Sequence, residues 1–333
     1  MAESTAPLAL LLCDRSIPAV REEWPTLALA FADIGEQVVI ADDDPGAVSG
    51  CDAVVLYGNT GWYPRLGRYL RSVPRSERPL VAVYFAEPLP PPRASGLPRF
   101  SPLNAAEVKR VVLRDPGATD IYTNARKLRR AMREGWVDVV FVTGLEKQEY
   151  LAEQGIPSWT AQYGYHPSLG RLLDLERSID VLFLGWTGPR RRRRLIRFLR
   201  RSGIDVDVRG SWSDPSLWGE GRTQLLNRTK IVVHLQRYPG KTAAMRFVLA
   251  LANGAMVVAE PCYRPDPFVP GVHYAQAPIG ELPDTIRYYL DHPEERERIV
   301  AAGHRLVTEQ LTFARTAETI VSVIREQLAR PSA

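Results

Sequence analysis

The sequence has few cysteines, no long apolar run and no clustered metal ligands, and each shortage excludes something. Only three cysteines, Cys13, Cys51 and Cys262, occur in 333 residues. Their spacing fits neither a disulfide framework nor a zinc site, so a reducing, cytoplasmic setting is expected. No apolar stretch approaches the roughly 18 residues that a membrane-crossing helix needs. The segment "LALLLC" (8–13) is too short for a signal peptide and lacks a basic flank, which leaves a buried strand as the expectation. There is no short-period repeat and no low-complexity tail. Net charge is +5, yet residues 189–201, "PRRRRRLIRFLRR", alone supply eight arginines. The excess is therefore local, and a nucleic-acid partner is not expected.

What is present is an ordinary globular balance, 45% apolar and 24% charged, in a chain long enough for two cores. Strand-like and helix-like runs alternate, the signature of an α/β protein with parallel sheets. Strands are expected at 8–13, 37–41, 53–57, 80–85, 121–123, 137–142 and 158–161, with helices between them such as 19–34 and 64–73. The pattern breaks at "QYGYHPSLGRLLDLERS" (162–178) and restarts. Strands then fall at 179–186, 204–212, 230–236, 255–261 and 272–275. Helices fall at 191–203, 221–229, 243–254, 282–290, 293–311 and 316–328. The expected architecture is two facing, doubly wound Rossmann-like domains with an interdomain cleft. An acceptor domain would span 1–165, a linker 166–178 and a second domain 179–312, with a final helix (313–333) crossing back to the first.

Ligands of such sheets lie beyond the carboxyl ends of the strands, and several strand ends carry suitable groups. In "DVLFLGWTGPRRRRR" a strand ends at Gly185. Trp186 and Thr187 follow, and a basic helix starts near Arg190. Glycines admit a ligand to the backbone and a helix N-terminus attracts anions, while arginine in the first turn opposes the helix dipole unless an anion offsets it. The other reading of the run is a solvated basic face, which suits Arg193, Arg197 and Arg200. "VRGSW" offers Gly210, Ser211 and Trp212 for a base to stack on, or an ordinary core or lid. "IVVHLQRYPGKTAAMRF" places His234 and Gln236 at a strand end. Lys241, Thr242 and Arg246 then share one face of a helix start. The Gly-Lys-Thr triplet lacks the first glycine of a phosphate loop, so either a phosphate contact or a plain capped turn is open. Glu260 ends the next strand, either turned toward a ligand or paired with Arg264 or Arg246. In the first half, Asn59, Thr60 and Gly61 form a turn after a strand, and Glu87 closes another. A carboxylate there suits deprotonation of a hydroxyl, or merely orients the Pro-rich loop. Asp14 and Asp120 compete with it, and Tyr165 and His166 sit at the hinge, where His166 is either a base or a packed histidine.

"DVLFLGWTGPRRR", "LLNRTKIVVHLQ", "RFVLALANGAMVVAEP", "FVPGVHYA", "LPDTIRYYLDHPEERERIVAAGHRLV" and "TFARTAETI" occur in an order that resembles bacterial group 1-like glycosyltransferases, most nearly the spore-maturation-type branch. The resemblance spans roughly 163–324. It implies the GT-B fold and a nucleotide-diphosphate sugar, such as a UDP-sugar, as co-substrate. Its donor residues would be Gly185, Trp186, Thr187, Arg190, Gly210, Ser211, Trp212, His234, Gln236, Lys241, Thr242, Arg246 and Glu260. An unidentified acceptor would lie near Asn59, Thr60, Gly61 and Tyr165, with Glu87, His166 or Asp14 as the catalytic group. It also implies no obligatory metal, because cationic side chains and helix N-termini stabilise the leaving diphosphate. Many retaining relatives carry glutamates at two positions that here are Lys241 and Leu249, counting back from Gly254. Those missing carboxylates keep two other functions open on the same fold: a non-catalytic nucleotide-sugar or glycan-binding protein, and a nucleotide-sugar epimerase.

Overall fold

The structure is a computed structural model that describes residues 6–13, 23–97, 120–210, 214–241 and 244–330. The candidates Asp14, Ser211, Trp212 and Thr242 lie outside the described residues. Two compact units emerge. One comprises Met1–Pro90, Ile121–Gln162 and Phe313–Ala333, the other Pro91–Asp120 and Tyr163–Thr312.

The first unit runs β1 (Ala9–Cys13), α1 (Glu23–Asp33), β2 (Gln37–Ala41), β3 (Ala53–Tyr57), α2 (Pro64–Ser72), β4 (Leu80–Phe85), α3 (Asp120–Arg133), β5 (Val139–Val142), α4 (Leu145–Ala152) and β6 (Trp159–Thr160). The six strands form one parallel sheet in the order β2-β1-β3-β4-β5-β6. Every residue of β3, β4 and β5 is buried, as expected of central parallel strands covered on both faces.

The expected strand at 121–123 is instead the first turn of α3. Its β-branched and aromatic residues favour a strand only when that short window stands alone. Over the longer stretch Ile121, Asn124, Ala125, Leu128 and Ala131 are buried at spacings of three and four, so the helical period prevails.

The second unit runs β7 (Ile179–Leu184), α5 (Arg190–Arg201), β8 (Asp207–Arg209), α6 (Gly219–Asn227), β9 (Thr229–His234), α7 (Ala244–Ala252), β10 (Met256–Ala259), β11 (Ala275–Gln276), α8 (Leu282–Asp291) and α9 (Pro293–Arg305). Its parallel sheet has the order β11-β10-β9-β7-β8. Both sheets therefore reverse direction once, between β1 and β3 and between β7 and β9. That reversal is the switch point where such folds hold ligands. The segment before β7 is bound to this unit: Leu173 N donates to Asn227 Oδ1 at 2.7 Å and Arg177 Nη1 to the Thr229 carbonyl at 2.6 Å.

Helix α7 ends where Gly254 takes φ +71°, a left-handed conformation that glycine adopts without strain. A Cβ there would also meet the Arg177 guanidinium. The last helix, α10 (Phe313–Leu328), belongs to the first unit. Thr316 Oγ1 donates to the Gln162 carbonyl at 2.6 Å, and Arg325 Nη2 pairs with Glu36 at 2.8 Å. Among the described residues no helix is long and apolar enough to cross a membrane.

Candidate functional site

The carboxyl ends of β7, β9 and β10 gather the polar groups of the second unit. Pairing sets Ala259 opposite His234 and Leu184 opposite Arg209, so the loops leaving these strands emerge side by side. At the end of β7, Gly185 has φ +154°, and a Cβ on it would stand 2.7 Å from Arg246 Nη2. A Cβ on Gly210 would run into the Gly185 carbonyl. The two glycines thus let strand ends and a guanidinium approach more closely than any side chain permits.

Helix α5 buries Arg192, Leu195, Ile196 and Leu199, spaced i, i+3, i+4, i+7. Arg193, Arg197 and Arg200 are exposed, a solvated face. Arg192, on the apolar stripe, lies 5.6 Å from the Phe183 ring centre and donates to the carbonyls of Leu235 (3.0 Å) and Trp186 (2.9 Å). Burial, then the neighbouring Arg246, Arg237 and Arg191, push its guanidinium down to about 9, against the pull of Glu260. Arg190, in the first turn, has no hydrogen-bond or ion-pair partner among the described residues.

Arg246 projects from the first turn of α7 over the same Phe183 ring, 5.7 Å from its centre. Burial brings it down to about 10, so it is a cation at neutral pH. Its side-chain contact is with a base rather than an acid: Nη1 donates to His234 Nδ1 at 2.9 Å. A guanidinium only donates, so Nδ1 is the bare nitrogen and the proton sits on Nε2, which points to the Lys241 carbonyl at 3.4 Å. His234 is buried, and burial plus the Arg246 charge hold it well below the usual histidine range, hence neutral. Its ring meets Phe247 edge-on at 5.3 Å.

Glu260 pairs with neither Arg264 nor Arg246. It is buried and bound by Arg191 through both guanidinium nitrogens, Nη1 reaching Oε1 at 2.9 Å and Nη2 contacting Oε2. Gln236 N donates to Oε1 as well, at 2.8 Å. Gln236 is a strut between two loops: its Nε2 donates to the Pro261 carbonyl at 2.8 Å and its Oε1 accepts from Gly240 N at 2.6 Å. Lys241 itself lies outside the described part of α7: it follows Gly240, which bridges Cys262 in parallel fashion, its N–H donates to the Tyr238 carbonyl at 3.2 Å, and it is buried beside His234. Trp186 and Thr187 line the β7–α5 turn, with the Arg237 guanidinium 5.2 Å from the Trp186 ring and the Thr187 carbonyl accepting from Arg193. Leu249 is buried in α7.

The structure therefore brings together Gly185, Trp186, Gly210, His234, Gln236, Lys241, Arg246 and Glu260. Arg191 and Arg192 are central to this cluster and were absent from the sequence-based set. Helical periodicity marks Arg192, in step with Leu195 and Leu199. No sequence signal links Arg191 to a carboxylate 69 positions away.

In the first unit, Asn59 is buried and fully engaged. Its Oδ1 accepts from Gly61 N at 2.8 Å and its Nδ2 donates to Asn124 Oδ1 at 2.6 Å, tying the β3–α2 turn to α3. Thr60 is buried and Gly61 exposed. Glu87 follows β4 in a loop pinned on both sides: Lys147 Nζ donates to the Ala86 carbonyl at 2.7 Å, and Asn124 Nδ2 to that of Pro88 at 3.2 Å. Tyr165 and His166 belong to the second unit. Tyr165 donates its hydroxyl to the Gly170 carbonyl at 2.9 Å, while His166 Nδ1 accepts from Ser168 N at 3.1 Å and so caps a short helical turn. Among the described residues no three His, Cys, Asp or Glu side chains cluster as a metal site would require.

A family model described as "Glycosyl transferase-like" matches residues 190–322, less than half of the chain. Curated protein sequences give no match. Among solved structures, Anabaena HepE in complex with UDP-glucose superposes with a TM-score of 0.60 at 12% identity, covering 96% of this chain and 100% of HepE. Sucrose-phosphate synthase from Thermosynechococcus elongatus gives 0.65 at 13% identity (96% and 99% covered). A glycosyltransferase from Rickettsia africae gives 0.63 at 8% (98% and 100%). Over residues 190–322 the chain is glycosyl transferase-like in sequence, and over its length it has the two Rossmann-like domains of GT-B structures.

Proposed function

We propose that this chain is a glycosyltransferase that moves a sugar from a nucleotide-diphosphate sugar, a UDP-sugar by analogy with the HepE complex, to an acceptor hydroxyl. The observation that carries the reading is a set of cations at the β7/β9 switch point, in which Arg246 has no carboxylate partner among the described residues. A diphosphate leaving group gathers negative charge as the glycosidic bond breaks, and fixed guanidinium groups there stabilise that charge. Arg246 and Arg190 would contact the diphosphate, with Lys241 and Thr242 beside it. Gly185 and Gly210 would admit the nucleotide, and Trp186, Thr187, Ser211 and Trp212 would flank it. Glu260 and Gln236 act through Arg191 and the Gly240 loop, and His234 orients Arg246.

In the first unit, Glu87 is the favoured base for the acceptor hydroxyl, because its loop is held from both sides. Asp14 and His166 are the competitors, with Thr60, Gly61 and Tyr165 near the acceptor. Diphosphate neutralisation by side chains makes the reaction independent of a metal. On motif order the chain is placed in the spore-maturation-type branch, with a donor domain at 179–312 and an acceptor domain at 1–165.

The test is product analysis with a panel of UDP-sugars, with and without chelator and candidate acceptors. Release of UDP with sugar transfer or hydrolysis supports the reading. Binding without turnover moves the chain to the nucleotide-sugar-binding class, and an altered sugar still attached to UDP moves it to the epimerases.

A further inference from the structure

In the first unit, a groove of about 320 Å³ runs between α2 and α3 and is bordered by the Thr60–Gly61 turn that follows β3. It is bordered by Arg68, Arg71, Lys127 and Arg130, against one acid, Glu134. Glu134 accepts from Arg71 and Arg130, each at 2.7 Å, so those two cations are already paired. Arg68 and Lys127 are exposed and have no carboxylate partner among the described residues. The amide donors at the start of α2 do not provide the anion site, because Asp43 accepts from Arg65 N and Leu66 N at 2.9 and 2.8 Å. Any anion held here answers to side chains.

Two further observations point into the groove. Thr60 and Trp136 both line it and are each 3% exposed, and among the described residues neither the buried Thr60 hydroxyl nor the buried Trp136 indole N–H has a hydrogen-bond partner. Buried polar groups are nearly always satisfied, so two orphans on one groove call for an oxygen-rich partner. The indole N–H only donates, which requires an acceptor on the ligand. Glycines keep the wall thin. A Cβ on Gly61 would stand 2.8 Å from Lys127 Nζ, and one on Gly67 would stand 3.2 Å from the Trp136 ring. From Pro64 to Arg71 the helix rises roughly 10 Å, about the length of a disaccharide.

We propose that the α2–α3 groove binds an anionic sugar, with its phosphate or carboxylate between Arg68 and Lys127 and its hydroxyl or ring oxygens against Thr60 and Trp136. The ligand is one or two sugar residues long. The site stands on the groove alone. It bears on the acceptor of the proposed reaction, but neither its occupancy nor its test depends on turnover.

The test is an NMR titration of the full chain labelled with ¹⁵N-tryptophan, in which Trp136→Phe assigns the Trp136 indole signal. The probes are glucose 6-phosphate, glucuronic acid and glucose, added to tens of millimolar at constant ionic strength. The expected result is a saturable shift of the Trp136 indole signal with both anionic sugars and a far weaker response to glucose. The double variant Arg68→Ala/Lys127→Ala, two exposed residues whose loss leaves the thermal midpoint unchanged, weakens binding about tenfold or more. An unmoved Trp136 signal, an equal response to glucose, or full affinity in the folded double variant overturns the proposal. UDP-sugar turnover measured on the same samples reports separately on the second unit.

Discussion

Replacing Glu260 by Gln keeps the shape of the side chain and removes its charge. The carboxylate is 2% exposed and its partner Arg191 is 25% exposed, so the pair is buried at one end and reaches solvent at the other. Breaking a fully buried pair from one side costs about 3–5 kcal/mol, because the surviving charge is left without a partner. Partial hydration of Arg191 reduces that to about 2–3 kcal/mol. The Gln236 N–H bond to the side-chain oxygen survives in the amide and moderates the loss. For a chain of this size each kcal/mol shifts the melting midpoint by about 2–4 °C, so Glu260→Gln should melt roughly 4–12 °C low. Adding Arg191→Met removes the stranded cation. The double variant is expected to recover at least ~1 kcal/mol relative to the sum of the singles, measured by urea denaturation as a double-mutant cycle. A Glu260→Gln protein within ~0.5 kcal/mol of wild type, or strictly additive singles, would refute the claim that this pair anchors the β9 and β10 loops.

Two other outcomes follow from the same cluster. His234 is held neutral, with its folded pKa depressed, whereas in the unfolded chain it titrates near 6.5. Below that pH the unfolded chain takes up a proton that the folded one refuses. His234 therefore lowers stability as pH falls, by up to ~1.4 kcal/mol per pH unit, and contributes no slope above pH 7. His234→Gln should flatten the stability profile between pH 6.5 and 5, and parallel wild-type and variant profiles would contradict the assignment. Gly185→Ala forces a left-handed φ on alanine and sets its Cβ 2.7 Å from Arg246 Nη2. The expected cost is about 1–3 kcal/mol in unfolding free energy measured with urea, together with weaker UDP binding, and an unchanged midpoint would show that the turn relaxes.

Much of the fold is legible in the sequence because parallel central strands are short, continuous apolar runs such as "AVVLY" and "LVAVYF", each ended by Gly or by a carboxylate. The error at 121–123 came from a three-residue window too short to show the period that Leu128 and Ala131 reveal. The convergence of strand ends was legible at Gly185, His234 and Glu260. Its wiring was not. The Arg191–Glu260 pair joins residues far apart in sequence, and nothing in the sequence shows that Asn59 holds α3 to the β3–α2 turn. Lys241 followed the same logic, for the Gly-Lys-Thr triplet reads as a helix start, yet Gly240 bridges Cys262 and Lys241 N–H closes a turn onto the Tyr238 carbonyl.

The most direct measurement of the central claim is a calorimetric titration of the full chain with UDP, repeated on Arg246→Met, which keeps an apolar stem against Phe183 while removing the guanidinium. The expected result is saturable binding by the wild type and an affinity at least about tenfold lower in a folded Arg246→Met protein. Absence of UDP binding by the wild type, or equal affinity in the variant, would contradict it.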